Sequence, residues 1–95
     1  MNNSTNHTMH PVTIYTTRIC PYCVNAKRLL DKKGVTYEEV RVDTSAEKRD
    51  EMLARSKGQR TVPQIFIGNT HVGGCDELYA LEHEGKLNSL LHSSD

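Results

Sequence analysis

The chain has 95 residues, enough for one compact domain around a single hydrophobic core, which excludes a two-domain enzyme. Its 12 basic and 12 acidic residues are interleaved and cancel, so no single-sign field attracts a nucleic acid or an anionic membrane. No apolar run approaches the roughly 18 residues of a membrane span, and we expect a cytoplasmic protein without membrane contacts, whose three cysteines indicate redox or metal chemistry.

The domain is predicted to begin after a polar tail. Residues 1–10 lack apolar periodicity, so we expect them to be a disordered tail ahead of one domain over residues 11–92. Pro11–Thr16 alternates along the chain and is rich in β-branched side chains, which predicts a first strand. Apolar residues at helical spacing follow Cys20, and Gly34 stands where a glycine commonly ends a helix.

The middle of the chain continues this alternation of strands and helices. The composition of Val35–Val42 predicts a second strand, and a strand–helix–strand order predicts a right-handed parallel crossover. Either Thr44 or Ser45 is in position to cap a second, weakly amphipathic helix. Helical spacing resumes at Cys75, with a break or kink expected at Gly85.

A hairpin is predicted between the second helix and the last one. Two short strands, Gln64–Ile67 and Thr70–Val72, are separated by Gly68-Asn69, a connection that suits the mirror-image turns of hairpins. The predicted order is therefore β-α-β-α-β-β-α. This order describes an α/β fold in which helices flank a four-stranded mixed sheet.

The pattern Cys20-Pro21-Tyr22-Cys23 places two thiols three positions apart where a strand gives way to a helix. The unpaired N–H groups and the dipole of a helix N-terminus stabilise a thiolate, so we expect the pKa of Cys20 to lie below that of a free cysteine. Cys23 lies one turn further in, close enough for a disulfide but less exposed. The same spacing suits half of a zinc site, although its place after a strand favours redox chemistry.

Together with two further motifs, Cys20–Cys23 resembles the active site of the glutaredoxins, and especially of the small bacterial dithiol kind. The other motifs are Thr61–Pro63 and Gly73–Asp76, and the resemblance extends over Val12–Leu91. It implies a thioredoxin-like fold and glutathione-disulfide oxidoreductase activity. The expected substrates are protein–glutathione mixed disulfides and protein disulfides, with glutathione as the co-substrate.

The resemblance also implies roles for individual residues. Cys20 is expected to attack and Cys23 to resolve, the two forming a redox-active disulfide. Pro63 is expected to follow a cis peptide bond that leaves the Val62 backbone open to glutathione, which binds as a short antiparallel strand. Asp76 is expected to pair with the ligand's α-amino group, or else to cap the last helix. The first N–H groups of that helix are expected to hold the γ-glutamyl carboxylate of the ligand. The implied glutathione-binding residues are Arg18, Tyr22, Thr61, Val62, Pro63, Gly74, Cys75 and Asp76.

One position departs from the family pattern. Members usually carry a lysine three residues before the first cysteine, where this chain has Thr17. Arg18 adjoins that position, although neighbouring residues of a strand point to opposite faces. Arg49, Lys57 and Arg60 are the alternatives for supplying the charge.

Two alternative functions use the same cysteines. A zinc-binding module would take Cys20, Cys23, His71 and Cys75 as ligands, because Cys-x2-Cys and His-x3-Cys are plausible ligand spacings. An iron–sulfur cluster would be shared by two subunits through Cys20 and bound glutathione, but family members of that kind usually have smaller or serine-containing motifs. For the oxidoreductase we expect no metal, a monomer, and glutathionylated or disulfide-containing proteins as partners.

Overall fold

The computed structural model of the chain describes residues 10–92. Residues 1–9 of the predicted tail lie outside that range, whereas His10 donates its backbone N–H to Leu91 O at 2.8 Å. No helix within the range is long and apolar enough to cross a membrane. The described strands and helices are β1 (Val12–Thr16), α1 (Pro21–Lys32), β2 (Glu38–Arg41), α2 (Ala46–Arg55), β3 (Gln64–Ile67), β4 (Thr70–Gly73), α3 (Cys75–His83) and α4 (Leu87–Leu91).

The strands form one mixed sheet with the order β2-β1-β3-β4. β1 pairs in parallel with β2 across the α1 crossover and antiparallel with β3, which pairs antiparallel with β4. The predicted four-stranded mixed sheet flanked by helices is thereby confirmed. Because β1 is a central strand that ends at Thr16, the loop after it places Cys20 near the middle of the sheet, at the C-terminal end of β1.

Alternate residues of the central strands pack against different helices. On β1, Ile14 belongs to the cluster beneath α1, α3 and α4, and Tyr15 belongs to the cluster beneath α2; both are fully buried. Ile65 and Phe66 repeat this alternation on β3. From α2, the fully buried Met52 and the partly buried Leu53 pack in the second cluster. The sheet is therefore covered on both faces, which specifies its register.

Glycines end α1 and α3 where the sequence predicted. Gly34 has a φ of +74°, its N–H donates to Asp31 O, and the Val35 N–H donates to Leu30 O at 3.2 Å. This paired pattern closes a helix with a left-handed residue. Gly85, with a φ of +73°, is a break between α3 and α4 rather than a kink within one helix.

The second strand is shorter than predicted, spanning Glu38–Arg41 in place of Val35–Val42. Val35 is buried in the core, and its N–H closes the end of α1, so that N–H is not available to a strand ladder. At the other end, the Val42 N–H still donates to Thr16 O at 2.9 Å after β2 has ended. The hydrophobic pattern therefore marked burial correctly but overestimated the length of the ladder.

The predicted cap and hairpin both form. Ser45 rather than Thr44 caps α2, because its Oγ accepts the Lys48 N–H at 3.2 Å. β3 and β4 are joined by the predicted two-residue turn. β4 extends one residue further than predicted, to Gly73, and so reaches the start of α3.

Candidate active site

The first cysteine of the motif is the N-cap of α1. Cys20 has an extended backbone, with φ −151° and ψ 98°, and Pro21 opens the helix. The Cys20 Sγ accepts the Cys23 backbone N–H at 3.0 Å. The first N–H groups of a helix have no intrahelical partners, and here one of them points at the sulfur. Such a donor, together with the helix dipole, favours the thiolate form of a thiol at a helix N-terminus.

Cys20 and Cys23 form a disulfide, with their Cα atoms 5.1 Å apart. The two residues differ in exposure: Cys20 is 9% exposed, whereas Cys23 is 1% exposed. An incoming sulfur atom therefore has access to Cys20 but not to Cys23. This difference is what a dithiol centre needs if one sulfur is to meet the substrate and the other is to act from within.

The loop ahead of β3 lies beside this disulfide. The Val62–Pro63 peptide bond is cis, as the resemblance implied. The carbonyl oxygen of Val62 lies 3.7 Å from the Cys20 Sγ. Val62 precedes the first residue of β3, Gln64, so its backbone is not part of that strand.

A groove of about 340 Å³ runs between the start of α1 and the start of α3. A larger cavity of about 680 Å³, near Gly68 and Ser89, lies at the other end of the sheet, and its described walls contain no cysteine. Seven of the eight predicted glutathione-binding residues line the groove, although they come from three separate stretches of the chain. The groove walls are Tyr22, Thr61, Val62, Pro63, Gly74, Cys75, Asp76 and Glu77.

Arg18 is the predicted site residue that does not line the groove. It is exposed, and its backbone N–H donates to Asp43 Oδ2 at 3.0 Å. The Arg41 guanidinium binds the same carboxylate and lowers the pKa of Asp43 to about 2, so Asp43 is ionised at neutral pH. The structure thus ties Arg18 to the segment after β2, on the opposite side of β1 from β3.

Glu77 is a groove residue that the sequence analysis did not identify. Its Oε1 accepts the Gly74 N–H at 2.8 Å, so Glu77 makes the capping contact that was the alternative role for Asp76. Gly74 has no side chain, and only the acidic half of a capping box forms. A Cβ added at Gly73, which has a φ of +112°, would lie 3.2 Å from the Glu77 side chain. The sequence signal that could have identified Glu77 is its position, three residues after the N-cap Gly74, where an acidic side chain commonly accepts the N-cap N–H.

Cys75, the third cysteine, is a free and buried thiol. Burial raises the pKa of Cys75, and the nearby carboxylates of Asp76 and Glu77 raise it further. Cys75 is therefore a protonated thiol at neutral pH, and a protonated thiol is a poor nucleophile. It lines the groove without the activating surroundings of Cys20.

His71, a proposed ligand in the zinc alternative, makes other contacts. Its Nε2 lies 2.6 Å from Gln64 Oε1, and its ring stacks on Phe66 with centroids 4.7 Å apart. Two of the other proposed ligands, Cys20 and Cys23, are bonded to each other. Among residues 10–92, no three His, Cys, Asp or Glu residues are grouped so that they could hold a metal ion.

Comparison with known proteins decides the family. A family model described as Glutaredoxin matches residues 12–72. A glutaredoxin from Pseudomonas aeruginosa is 60% identical over 83 residues, which cover 87% of this chain and 98% of that protein. The chain belongs to the glutaredoxin family. Its general activity is thiol–disulfide exchange, and the disulfide of this glutaredoxin is Cys20–Cys23.

Solved glutaredoxin structures share the fold. The solution structure of a glutaredoxin from Brucella melitensis has a TM-score of 0.78 and 55% sequence identity, covering 92% of this chain and 94% of that one. A buckwheat glutaredoxin crystallised with glutathione has a TM-score of 0.77 and 34% identity, covering 86% of this chain and 76% of that one. The thioredoxin-like fold implied by the resemblance is confirmed.

Restoring the lysine that the family pattern leads one to expect tests how Cys20 is activated. We expect Thr17→Lys to lower the pKa of Cys20, because a cation three residues away favours the thiolate. An exposed charge pair contributes roughly 0.2 to 1 kcal/mol, so the thiolate fraction at neutral pH should rise by less than about fivefold. Titration of the thiolate absorbance of reduced protein measures this change.

The matched control for that titration is Thr36→Lys. Thr36 is exposed and lies beside Pro11 and Val12, at the end of β1 remote from the cysteines. The control adds the same charge without a nearby thiolate, so the pKa of Cys20 should not respond. A fall of equal size in both variants, or none with Thr17→Lys, would show that a local cation at this position does not act on Cys20.

Proposed function

We propose that this glutaredoxin is a glutathione-dependent oxidoreductase that reduces protein–glutathione mixed disulfides and protein disulfides through Cys20 and Cys23. The observation that carries the proposal is the groove beside Cys20, whose walls include the Val62 backbone. One of its structural relatives, a buckwheat glutaredoxin, crystallised as a complex with glutathione. A tripeptide is an appropriate ligand for such a site because it can bind through main-chain hydrogen bonds.

Removal of glutathione from a protein begins at Cys20. The Cys20 thiolate attacks the glutathionyl sulfur, a disulfide forms between Cys20 and glutathione, and the substrate sulfur leaves as a thiolate that takes a proton from water. The thiolate of a second glutathione then attacks the glutathionyl sulfur. Glutathione disulfide leaves, and Cys20 returns to the thiolate stabilised by the Cys23 N–H.

Reduction of a protein disulfide uses both cysteines. The Cys20 thiolate attacks one substrate sulfur and forms a mixed disulfide, releasing the other substrate sulfur as a thiolate. Cys23, one turn further along α1, then loses its proton to water and attacks the Sγ of Cys20. The second substrate sulfur leaves as a thiolate that is protonated by water, and the Cys20–Cys23 disulfide forms. Two molecules of glutathione reduce this disulfide and become glutathione disulfide.

The groove supplies contacts for the cysteinyl and γ-glutamyl parts of glutathione. The backbone of Val62 offers strand-like hydrogen bonds next to the reacting sulfur of Cys20. Glu77 occupies the Gly74 N–H, so the first-turn N–H groups of Cys75 and Asp76 are the donors left for the γ-glutamyl carboxylate. The Asp76 carboxylate, which the cap does not use, pairs with the α-amino group of the ligand.

The cellular setting follows from the same chemistry. A protein with one free thiol and a reducible Cys20–Cys23 pair suits a reducing compartment, so we place this glutaredoxin in the cytoplasm. We propose that it acts as a monomer, because the groove is built from one copy of the chain. Each predicted contact to glutathione comes from that copy.

A glutathione-coupled assay tests the proposed function. A glutathionylated peptide is mixed with the protein, glutathione, glutathione reductase and NADPH, and NADPH consumption is followed. We expect consumption that requires the peptide, glutathione and the protein together. Absence of consumption, while the same protein reduces a protein disulfide with dithiothreitol as reductant, would overturn glutathione dependence and leave general thiol–disulfide exchange intact.

A further inference from the structure

The residue after the cis proline has a buried polar side chain. Gln64 is 3% exposed, and its Nε2 donates to Thr61 O at 2.9 Å and to Thr61 Oγ1 at 3.2 Å. Both acceptors belong to the loop that forms one wall of the groove. The side chain of Gln64 therefore holds that loop from the side of the sheet.

The hydrogen-bond partners determine which way the Gln64 amide faces. Thr61 O is a carbonyl and can only accept, so the NH₂ group of Gln64 must point at Thr61. Oε1 then faces the Nε2 of His71 at 2.6 Å. Oε1 can also only accept, so His71 must carry a proton on Nε2. The direction of donation runs from His71 through Gln64 to Thr61.

The sheet holds the ring of His71 in place. His71 pairs with Phe66 in the β3–β4 ladder, and their rings stack with an interplanar angle of 20°. The Arg55 guanidinium also lies over the Phe66 ring, 4.1 Å from its centroid. The position of the imidazole is therefore set by elements that do not line the groove.

The loop ahead of β3 is held in two ways: Val62 packs against the cluster beneath α2, and Thr61 accepts hydrogen bonds from Gln64. Thr61 is exposed and lies between the groove and a second cavity of about 310 Å³, which Gln59, Gln64 and His71 also line. A polar residue with open space on two sides depends on hydrogen bonds for a fixed position. The two bonds from Gln64 are the side-chain hydrogen bonds that the structure shows for Thr61.

We propose that Gln64 and His71 are positioning residues for glutathione, holding Thr61 and Val62 where their backbone can bind the tripeptide. The proposal rests on the proposed function, because it needs glutathione to bind along Val62. Neither side chain touches the reacting sulfurs. Their effect should therefore appear in discrimination between thiols and not in the chemistry of Cys20.

The test uses the glutathione preference, defined as the rate constant for reduction of the Cys20–Cys23 disulfide by glutathione divided by that for cysteamine. Cysteamine lacks peptide groups and cannot use the Val62 backbone. We expect Gln64→Leu to lower this preference about tenfold, the size expected when one or two neutral hydrogen bonds are lost, while the cysteamine rate stays within about twofold. The matched control is Gln59→Leu, which removes an amide from the same cavity without a side-chain bond to Thr61 and should keep the preference.

A second pair of variants decides the matter if Gln64→Leu fails to fold. His71→Leu removes the outer bond together with the ring that stacks on Phe66, and it should lower the preference about threefold. His71→Gln also lacks the ring but retains a donor for Gln64 Oε1, so it should restore most of the preference. Nitrogen NMR of the intact protein should also find the neutral His71 ring protonated on Nε2. Protonation on Nδ1 alone would overturn the proposed chain of donors.

The outcomes distinguish failure of the positioning role of Gln64 and His71 from failure of the proposed glutathione-dependent function. An unmodified protein that reacts equally well with glutathione and cysteamine would overturn the proposed function, and with it the inference. A protein with a clear preference that survives both Gln64→Leu and His71→Leu would overturn the positioning role alone. Loss of the cysteamine rate in parallel with the glutathione rate would assign these side chains to the stability of the fold, and that too contradicts the proposal.

Discussion

Cys20→Ser is expected to abolish both glutathionyl transfer and protein-disulfide reduction, whereas Cys23→Ser should keep the first and lose most of the second. Cys20 is the more accessible of the two cysteines, and its sulfur accepts the Cys23 N–H, so the first bond-forming step in either reaction requires it. Cys23 is 1% exposed and is needed only when a mixed disulfide must be resolved from within. Two assays on each purified variant, one with a glutathionylated peptide and one with a protein disulfide, measure the difference.

Cys75→Ser is the control for those two variants. Burial raises the pKa of Cys75 and keeps it protonated, so its removal should leave both activities close to those of the unmodified protein. Equal losses for Cys20→Ser and Cys23→Ser in both assays would contradict the division of roles. So would full activity of Cys20→Ser with the glutathionylated peptide.

Asp76→Ala should lower the glutathione preference about tenfold. The Asp76 carboxylate lies in the groove and is not used for the helix cap, which Glu77 provides. Cysteamine has no γ-glutamyl α-amino group, so its rate should hold. A charge-assisted hydrogen bond contributes roughly 1.5 to 3 kcal/mol, and exposure of Asp76 places the effect at the lower end of that range. Stopped-flow reduction of the disulfide by each thiol gives the ratio.

Asp50→Ala is the matched control for the loss of a negative charge. Asp50 is exposed on α2, an element that does not line the groove, and removing it should leave the preference unchanged. If Asp76→Ala slows glutathione and cysteamine by the same factor and lowers the melting temperature, Asp76 supports the fold and does not recognise the ligand. The γ-glutamyl site would then have to lie elsewhere.

Local signals were enough to predict much of the fold. The start of α1 at Cys20 and Pro21 follows from a strand that gives way to a helix-compatible proline, and Gly34 and Gly85 end helices through backbone conformations that suit glycine. The hairpin followed from a two-residue turn between β-branched strands. In each case the determining residues lie within a few positions of the feature that they fix.

Contacts between distant residues account for what the sequence did not predict. β2 is short because the Val35 N–H closes the preceding helix, a contact that the strand composition of its segment does not signal. His71 meets Gln64 because it pairs with Phe66 and so lies diagonally across from Gln64, two residues earlier on β3; a hairpin sequence does not specify that these two side chains bond. The groove residues were predictable only through the family resemblance, since three separate stretches of the chain form it.

The most direct measurement of whether Cys20 carries the glutathionyl group uses the Cys23→Ser variant, which cannot resolve the intermediate. The reduced variant is mixed with a glutathionylated peptide, quenched with acid, digested, and analysed by mass spectrometry. We expect one glutathionyl group on Cys20, none on the protonated thiol of Cys75, and removal of that group when glutathione is added. A variant that releases the peptide thiol without modification of Cys20, or that carries the group on Cys75, would contradict the proposed mechanism.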